Sequence, residues 1–254
     1  MKTHIFIPYL LTPDNGEELK VTLRSIDHNI LFDYDVVVFG DQLPTWLNTK
    51  SIIHIDVKFP MIVPFNTFWD TISKLRHYSS LDTASESILY TYDDIVFMQP
   101  VTLIDVKKLV ALSYLPQNDD FKSDAGLNWR KVLVNTMHKL KEHKLPYLNY
   151  ETHLPIAFER DRLRRFFQKF AFDKEPYHMC SLYCNWANDV DNREVSILSK
   201  IPNQKIKFGI YRGCEIKDYN IISDYMFLNW TQSEWKPELR NFLMSEFPKS
   251  KFEL

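Results

Sequence analysis

The segment Ser87-Ile88-Leu89-Tyr90-Thr91-Tyr92-Asp93-Asp94-Ile95-Val96-Phe97-Met98-Gln99-Pro100 constrains this chain most strongly. Its first half is an apolar and aromatic run of the length and composition that buried strands favour. Two adjacent carboxylates then stand where that strand should end. Ligands in open α/β sheets bind outside the carboxyl ends of the strands. Carboxylates suit a hard divalent cation, and such a cation suits a diphosphate. Asp-Asp also caps helices and makes turns, so the pair alone supports both a metal site and a turn.

The chain before this segment alternates strand and helix. His4 to Pro8 reads as a first buried strand, and Thr12-Pro13-Asp14-Asn15-Gly16 as a turn with helix-start chemistry. Glu17 to His28 fits a helix, with Leu19, Leu23 and Ile26 at helical spacing and acids early. Asp35 to Phe39 is a second strand ending at Gly40-Asp41, Ser51 to Asp56 a shorter third, and Asn66 to Tyr78 a helix. This alternation indicates an α/β fold with a mostly parallel sheet. Further on, Asp105 to Tyr114, Ala125 to His143, Asp161 to Phe170 and Lys236 to Glu246 look helical, with weaker strand signals from Ile197 to Asn229. No linker divides the chain. The expectation is a single catalytic domain over residues 1–254, with a nucleotide-binding α/β half at 1–115 and a helical, acceptor-binding half at 116–254.

Composition excludes several classes. Five glycines, with no GxGxxG or GxxxxGK[ST], give no support to a Rossmann dinucleotide site or a P-loop. A net charge of -2 lacks the basic surplus of strong nonspecific nucleic-acid binding. Cys180, Cys184 and Cys214 form no CxxC and read as free thiols in a reducing compartment. The amino-terminal apolar run is too short and too soon interrupted for a signal peptide. No apolar run reaches about 18 residues, so no membrane insertion and a cytoplasmic location are expected.

An ordered series of motifs carries a resemblance. Leu23-Arg24-Ser25-Ile26 is followed by Gly40-Asp41-Gln42-Leu43-Pro44-Thr45-Trp46-Leu47, Pro64-Phe65-Asn66-Thr67 and Tyr92-Asp93-Asp94-Ile95-Val96-Phe97. Next come Glu151-Thr152-His153-Leu154-Pro155 and Phe247-Pro248-Lys249-Ser250-Lys251-Phe252-Glu253. Together these resemble the Stealth family, which includes bacterial capsular-polysaccharide sugar-phosphate transferases and the catalytic part of the lysosomal-enzyme GlcNAc-1-phosphotransferase. The series is also similar to small phage and bacterial glycosyltransferases of the GT-A type. The resemblance implies a GT-A-like fold, a nucleotide-sugar donor and a hydroxyl acceptor. The family's acidic first motif is absent from Ile5-Phe6-Ile7-Pro8-Tyr9-Leu10, which favours glycosyl transfer over sugar-1-phosphate transfer. A non-catalytic carbohydrate-binding protein of the same fold is a third reading.

The candidate residues follow. Asp93 and Asp94 are expected to hold Mg²⁺ or Mn²⁺ against the donor diphosphate, neutralising charge on the leaving phosphate. Asp41 lies at a second strand end, where it is either catalytic or a turn residue. Gly40, Arg24, Asn66 and Arg130 are candidate donor contacts. Arg24 is otherwise a salt bridge, and Asn66 a plain N-cap. In the H-x-P context, His153 is the candidate general base toward the acceptor. Trp129 or Trp186 could stack on a sugar. The basic run Arg160, Arg162, Arg164, Arg165 and Lys169 is either a solvated face or a path for an anionic acceptor such as a modified DNA base.

Overall fold

The computed structural model describes residues 2–40, 42–57, 66–115, 127–170, 172, 175–191, 193–198, 205–210, 216 and 219–254. Its centre is a five-stranded sheet of order β3-β2-β1-β4-β9, built from β1 (Thr3–Pro8), β2 (Tyr34–Phe39), β3 (Ile53–Ile55), β4 (Ser87–Tyr90) and β9 (Ile156–Glu159). The first four strands are parallel, and β9 runs antiparallel beside β4. The α/β class with a mostly parallel sheet is therefore as expected. Because β9 comes from the second half of the chain and completes the sheet of the first, both halves share one sheet.

Strand alternation sorts the core into two faces. Phe6, Val37, Phe39, Ile88 and Tyr90 point toward α2 (Asn66–Ser80), α4 (Leu127–Glu142), α5 (Arg160–Lys169) and α6 (Met179–Asp191). Ile5, Ile7, Val36, Val38 and Leu89 point the other way, onto Leu19, Leu23 and Ile26 of α1 (Glu17–Asn29). A smaller sheet, β11-β12-β5, holds β5 (Ile95–Phe97), β11 (Lys207–Ile210) and β12 (Phe227–Trp230), and packs with α7 (Pro237–Glu246). The turn into α1 needs a left-handed residue: Gly16 has φ 72°, and a Cβ there would stand 2.4 Å from the Tyr9 hydroxyl.

One expectation is corrected. The segment Asp105 to Tyr114 is not one helix. A capping box between Thr102 and Asp105 starts the short α3 (Leu103–Lys107). The chain then extends into β6 (Leu109–Ala111), parallel to β10 (Val195–Ile197), and β7 (Ser113–Tyr114), antiparallel to β8 (Leu148–Asn149). The second half carries the helices α4 to α7, interleaved with the short strands β8 to β12.

The basic run on α5 mostly ties elements together. Arg164 donates to the carbonyls of Ser79 (2.6 Å) and Ser80 (3.1 Å), closing the carboxyl end of α2. Arg160 donates to the Ala84 carbonyl at 2.7 Å and pairs with Glu86, while Arg162 pairs with Asp191. Arg165 and Lys169 are the members of the run that face outward. The expected path for a nucleic-acid acceptor is thus largely internal bracing.

Candidate active site

The parallel strands bring three chain exits to one edge. After β1 the chain passes through Tyr9, after β2 through Gly40, and after β4 through Thr91-Tyr92 into the turn at Asp93-Asp94. Tyr9 N–H donates to the Phe39 carbonyl at 2.9 Å. A Cβ at Gly40 would lie 2.4 Å from the Tyr9 carbonyl oxygen, so only glycine lets β1 and β2 approach this closely. That oxygen also accepts from Lys74 of α2 at 3.0 Å, and Lys74 pairs with Asp70 at 2.7 Å. His54 Nε2 donates to the Gly40 carbonyl at 2.8 Å.

Helix α1 positions the carboxylate turn with polar groups on its buried face. Thr22 Oγ1 donates to the Asp93 carbonyl at 2.7 Å. Ser25 Oγ accepts the Phe97 N–H at 3.1 Å, and Asn29 Nδ2 donates to the Phe97 carbonyl at 2.6 Å. Spacings of three and four residues put these side chains on one helix face. They grip the backbone from Asp93 to Phe97 as a neighbouring strand would, satisfying groups that burial would otherwise orphan.

The carboxylates sit in a field that disfavours their charge. Burial first, then the negative charges of Asp94 and Glu18, push Asp93 up to about 8, with Lys74 opposing. Burial, then Glu18, pushes Asp94 up to about 7, with Lys207 opposing. Glu18 is itself raised by burial, although the Trp230 indole N–H donates to it at 2.6 Å. Near neutral pH the pair is poised between charged and neutral, and a divalent cation would relieve that repulsion.

On the β4/β9 side of these carboxylates lies a cavity of about 230 Å³, lined by Tyr92, Trp129, Glu151, His153 and His178 among others. His153 is exposed at its edge, in the left-handed conformation with φ 48°. Such backbone strain in a non-glycine residue clusters at functional sites. Its ring centroid is 5.6 Å from that of Tyr92. The protein packed around it displaces water and, with the nearby Lys207 ammonium, lowers the imidazole pKa. Lys207 is anchored on the Thr152 carbonyl and acts electrostatically on both Asp94 and His153.

Several sequence candidates therefore converge: Asp93, Asp94 and Gly40 at the strand ends, with His153 adjoining. Asp41 lies outside the described residues, as does the side chain of Asn66. Arg130 is half-buried on α4, directly after Trp129. Arg24, read as either a phosphate contact or a salt bridge, makes a two-pronged bond to Glu253, 2.8 Å on each prong, and donates to the Phe247 carbonyl at 3.2 Å. Both partners lie in the carboxyl-terminal motif, so this arginine pins the chain end to α1. Glu18, Lys74 and Lys207 were missed, because they come from elements distant in sequence and carry no motif. Trp230 stacked on Trp235, with centroids 4.8 Å apart, marks the wall behind Glu18.

Among the described residues no cluster of three or more His, Cys, Asp or Glu side chains could hold a metal ion. Two oxygen donors held at raised pKa do fit a Mg²⁺- or Mn²⁺-type ion that completes its shell with substrate phosphates and water. The described Cys180 and Cys184 are buried free thiols whose pKa burial raises, which suits core packing rather than zinc.

No family model matches the sequence, and no curated protein matches it. Among solved structures the chain is similar to an active-site mutant of LgtC. The identity is 12%, the alignment covers 96% of each chain, and the TM-score is 0.47.

Proposed function

We propose that this protein is a nucleotide-sugar-dependent glycosyltransferase of the GT-A type that transfers a sugar to an acceptor hydroxyl. The observation that carries this reading is the Asp93-Asp94 turn. It stands at the carboxyl end of a central parallel strand, its carboxyls are raised to about 8 and about 7, and His153 and a cavity lie beside it. Fields of this kind are built where charge must be managed. In this reading the nucleotide lies along the exits of β1 and β2, where the Gly40 and Tyr9 backbones leave no side chain at their point of closest approach.

Asp93 and Asp94 would hold Mg²⁺ or Mn²⁺, which when bound supplies positive charge to the leaving diphosphate. Lys207 adds a fixed cation on the same side. His153, its pKa lowered, is neutral at physiological pH and accepts the proton of the acceptor hydroxyl as it attacks. Among the described residues no helix is long and apolar enough to cross a membrane.

Phosphorus NMR of the products separates the readings. The protein is incubated with Mn²⁺ and a panel of UDP-, GDP-, CDP- and TDP-sugars, with simple glycosides as acceptors. Release of nucleoside diphosphate supports glycosyl transfer. Release of nucleoside monophosphate with a new phosphodiester assigns sugar-1-phosphate transfer instead. Saturable donor binding without turnover of any donor leaves the carbohydrate-binding reading.

A further inference from the structure

The cavity on the β4/β9 side has a built wall. Trp129 is 39% exposed and lines it. The indole meets the His178 ring edge-on, with centroids 5.2 Å apart and planes at 71°. His178 Nε2 donates to the Trp129 carbonyl at 3.2 Å, and Nδ1 faces Glu151 Oε2 at 3.3 Å. Glu151 is further held by the Ser181 N–H (2.9 Å) and Oγ (3.0 Å). His178 and Glu151 thus form a buried contact pair that fixes the turn of α4 carrying Trp129.

We propose that this cavity seats one pyranose ring of the acceptor, with the exposed face of Trp129 as its stacking platform. The assignment rests on the transferase reading above. A sugar offers an apolar C–H face and a rim of hydroxyls. The cavity offers a rigid indole together with Thr71, Tyr92, Glu151 and His153 as polar partners. Its volume of about 230 Å³ lies below the range usual for larger ligands, which suits a single ring. The sheet order supplies the direction. Tyr9 and Gly40 lie on the β1/β2 side of Asp93-Asp94, whereas the cavity lies on the β4/β9 side. A ring seated there meets the donor sugar across the carboxylates, with His153 at its edge.

The test is a titration of the free protein, without donor or metal, followed by isothermal titration calorimetry. The probes are methyl β-D-galactopyranoside, methyl β-D-glucopyranoside and methyl N-acetyl-β-D-glucosaminide, with thymidine and deoxycytidine as base probes. Trp129→Ala removes the platform and Trp129→Phe keeps a smaller aromatic face, and the heat of binding is read in the same way in all three proteins. The expected result is a saturable change with at least one glycoside, lost in Trp129→Ala and weakened on the order of tenfold in Trp129→Phe. Heat-induced unfolding checks that both variants are folded, and Trp129→Phe decides if Trp129→Ala is not. No saturable change with any glycoside, a change that persists at full strength in the variants, or saturation by the nucleosides alone overturns the platform. Glycoside binding in a protein that no nucleotide sugar stabilises would sink the transferase reading while leaving the platform standing.

Discussion

A carboxylate held at raised pKa in the folded state has a measurable cost, and replacing Asp93 by Asn exposes it. Asp93 moves from 3.8 to about 8 on folding. Between those values the native state binds more protons than the unfolded one. This group's contribution is therefore fully present below about pH 4 and is lost as pH rises through about 8. The full displacement corresponds to about 5–6 kcal/mol. Water reaching the edge of this largely buried turn screens the field, which brings the expected effect to about 1–3 kcal/mol. Asn keeps the size and hydrogen-bonding capacity of the side chain without the charge. Metal-free Asp93→Asn should therefore melt above wild type at about pH 8.5, by roughly 2–10 °C for a chain of this length, and close to it at about pH 4. Thermal unfolding with chelator at the two pH values measures this directly. Adding Mn²⁺ should raise the wild-type melting temperature and leave that of the variant nearly unchanged. A variant less stable than wild type at the higher pH, or a difference that does not vary with pH, would refute the reasoning and make Asp93 an ordinary turn residue.

Other outcomes follow from the same geometry. His153→Ala should lose roughly 10²–10⁴-fold in rate. The wild-type rate should fall on the acid side with an apparent pKa below the ordinary histidine value, and that limb should vanish in the variant; an unchanged pH–rate profile counts against the base assignment. Glu151→Gln weakens the buried acceptor that faces His178 and takes the Ser181 N–H and Oγ and should lower stability by about 1–3 kcal/mol in urea unfolding; an unchanged urea midpoint would mean that these contacts do not hold the cavity wall. Gly40→Ala forces a Cβ against the Tyr9 carbonyl oxygen and should destabilise by about 1–3 kcal/mol, read as a lower urea midpoint, with donor binding weakened as well.

Much of the first half was legible because its physics is local. The buried strands are short apolar runs, and the helices between them carry apolar stripes at helical spacing, so β1 to β4, α1 and α2 can be traced by period. Helix α6 was not expected. Met179, Cys180, Ser181, Leu182, Tyr183 and Cys184 are all buried, and a helix apolar on every side shows no stripe to detect. Asp105 to Tyr114 misled for the opposite reason: a real capping box starts a helix, but strand partners far along the chain claim Leu109-Val110-Ala111. The site divides in the same way. Asp93 and Asp94 stand out because they end a strand. Arg24 was left open between phosphate contact and salt bridge because its carboxylate partner lies at the far end of the chain. The grip of Thr22, Ser25 and Asn29 on the Asp93 turn, and the charges of Glu18, Lys74 and Lys207 around it, exist only once the chain is folded.

The central claim is that Asp93 and Asp94 hold a nucleotide sugar through a divalent cation, and metal-dependent donor binding tests it most directly. Thermal unfolding is measured with UDP-, GDP-, CDP- and TDP-sugars, each with Mn²⁺, with Mg²⁺ and with chelator, on wild type and on the Asp93→Asn, Asp94→Asn double variant. The expected result is that at least one nucleotide sugar stabilises the wild type only when metal is present, and stabilises the double variant under no condition. Stabilisation of neither protein by any nucleotide sugar with either metal, or equal metal-dependent stabilisation of both, would contradict the claim.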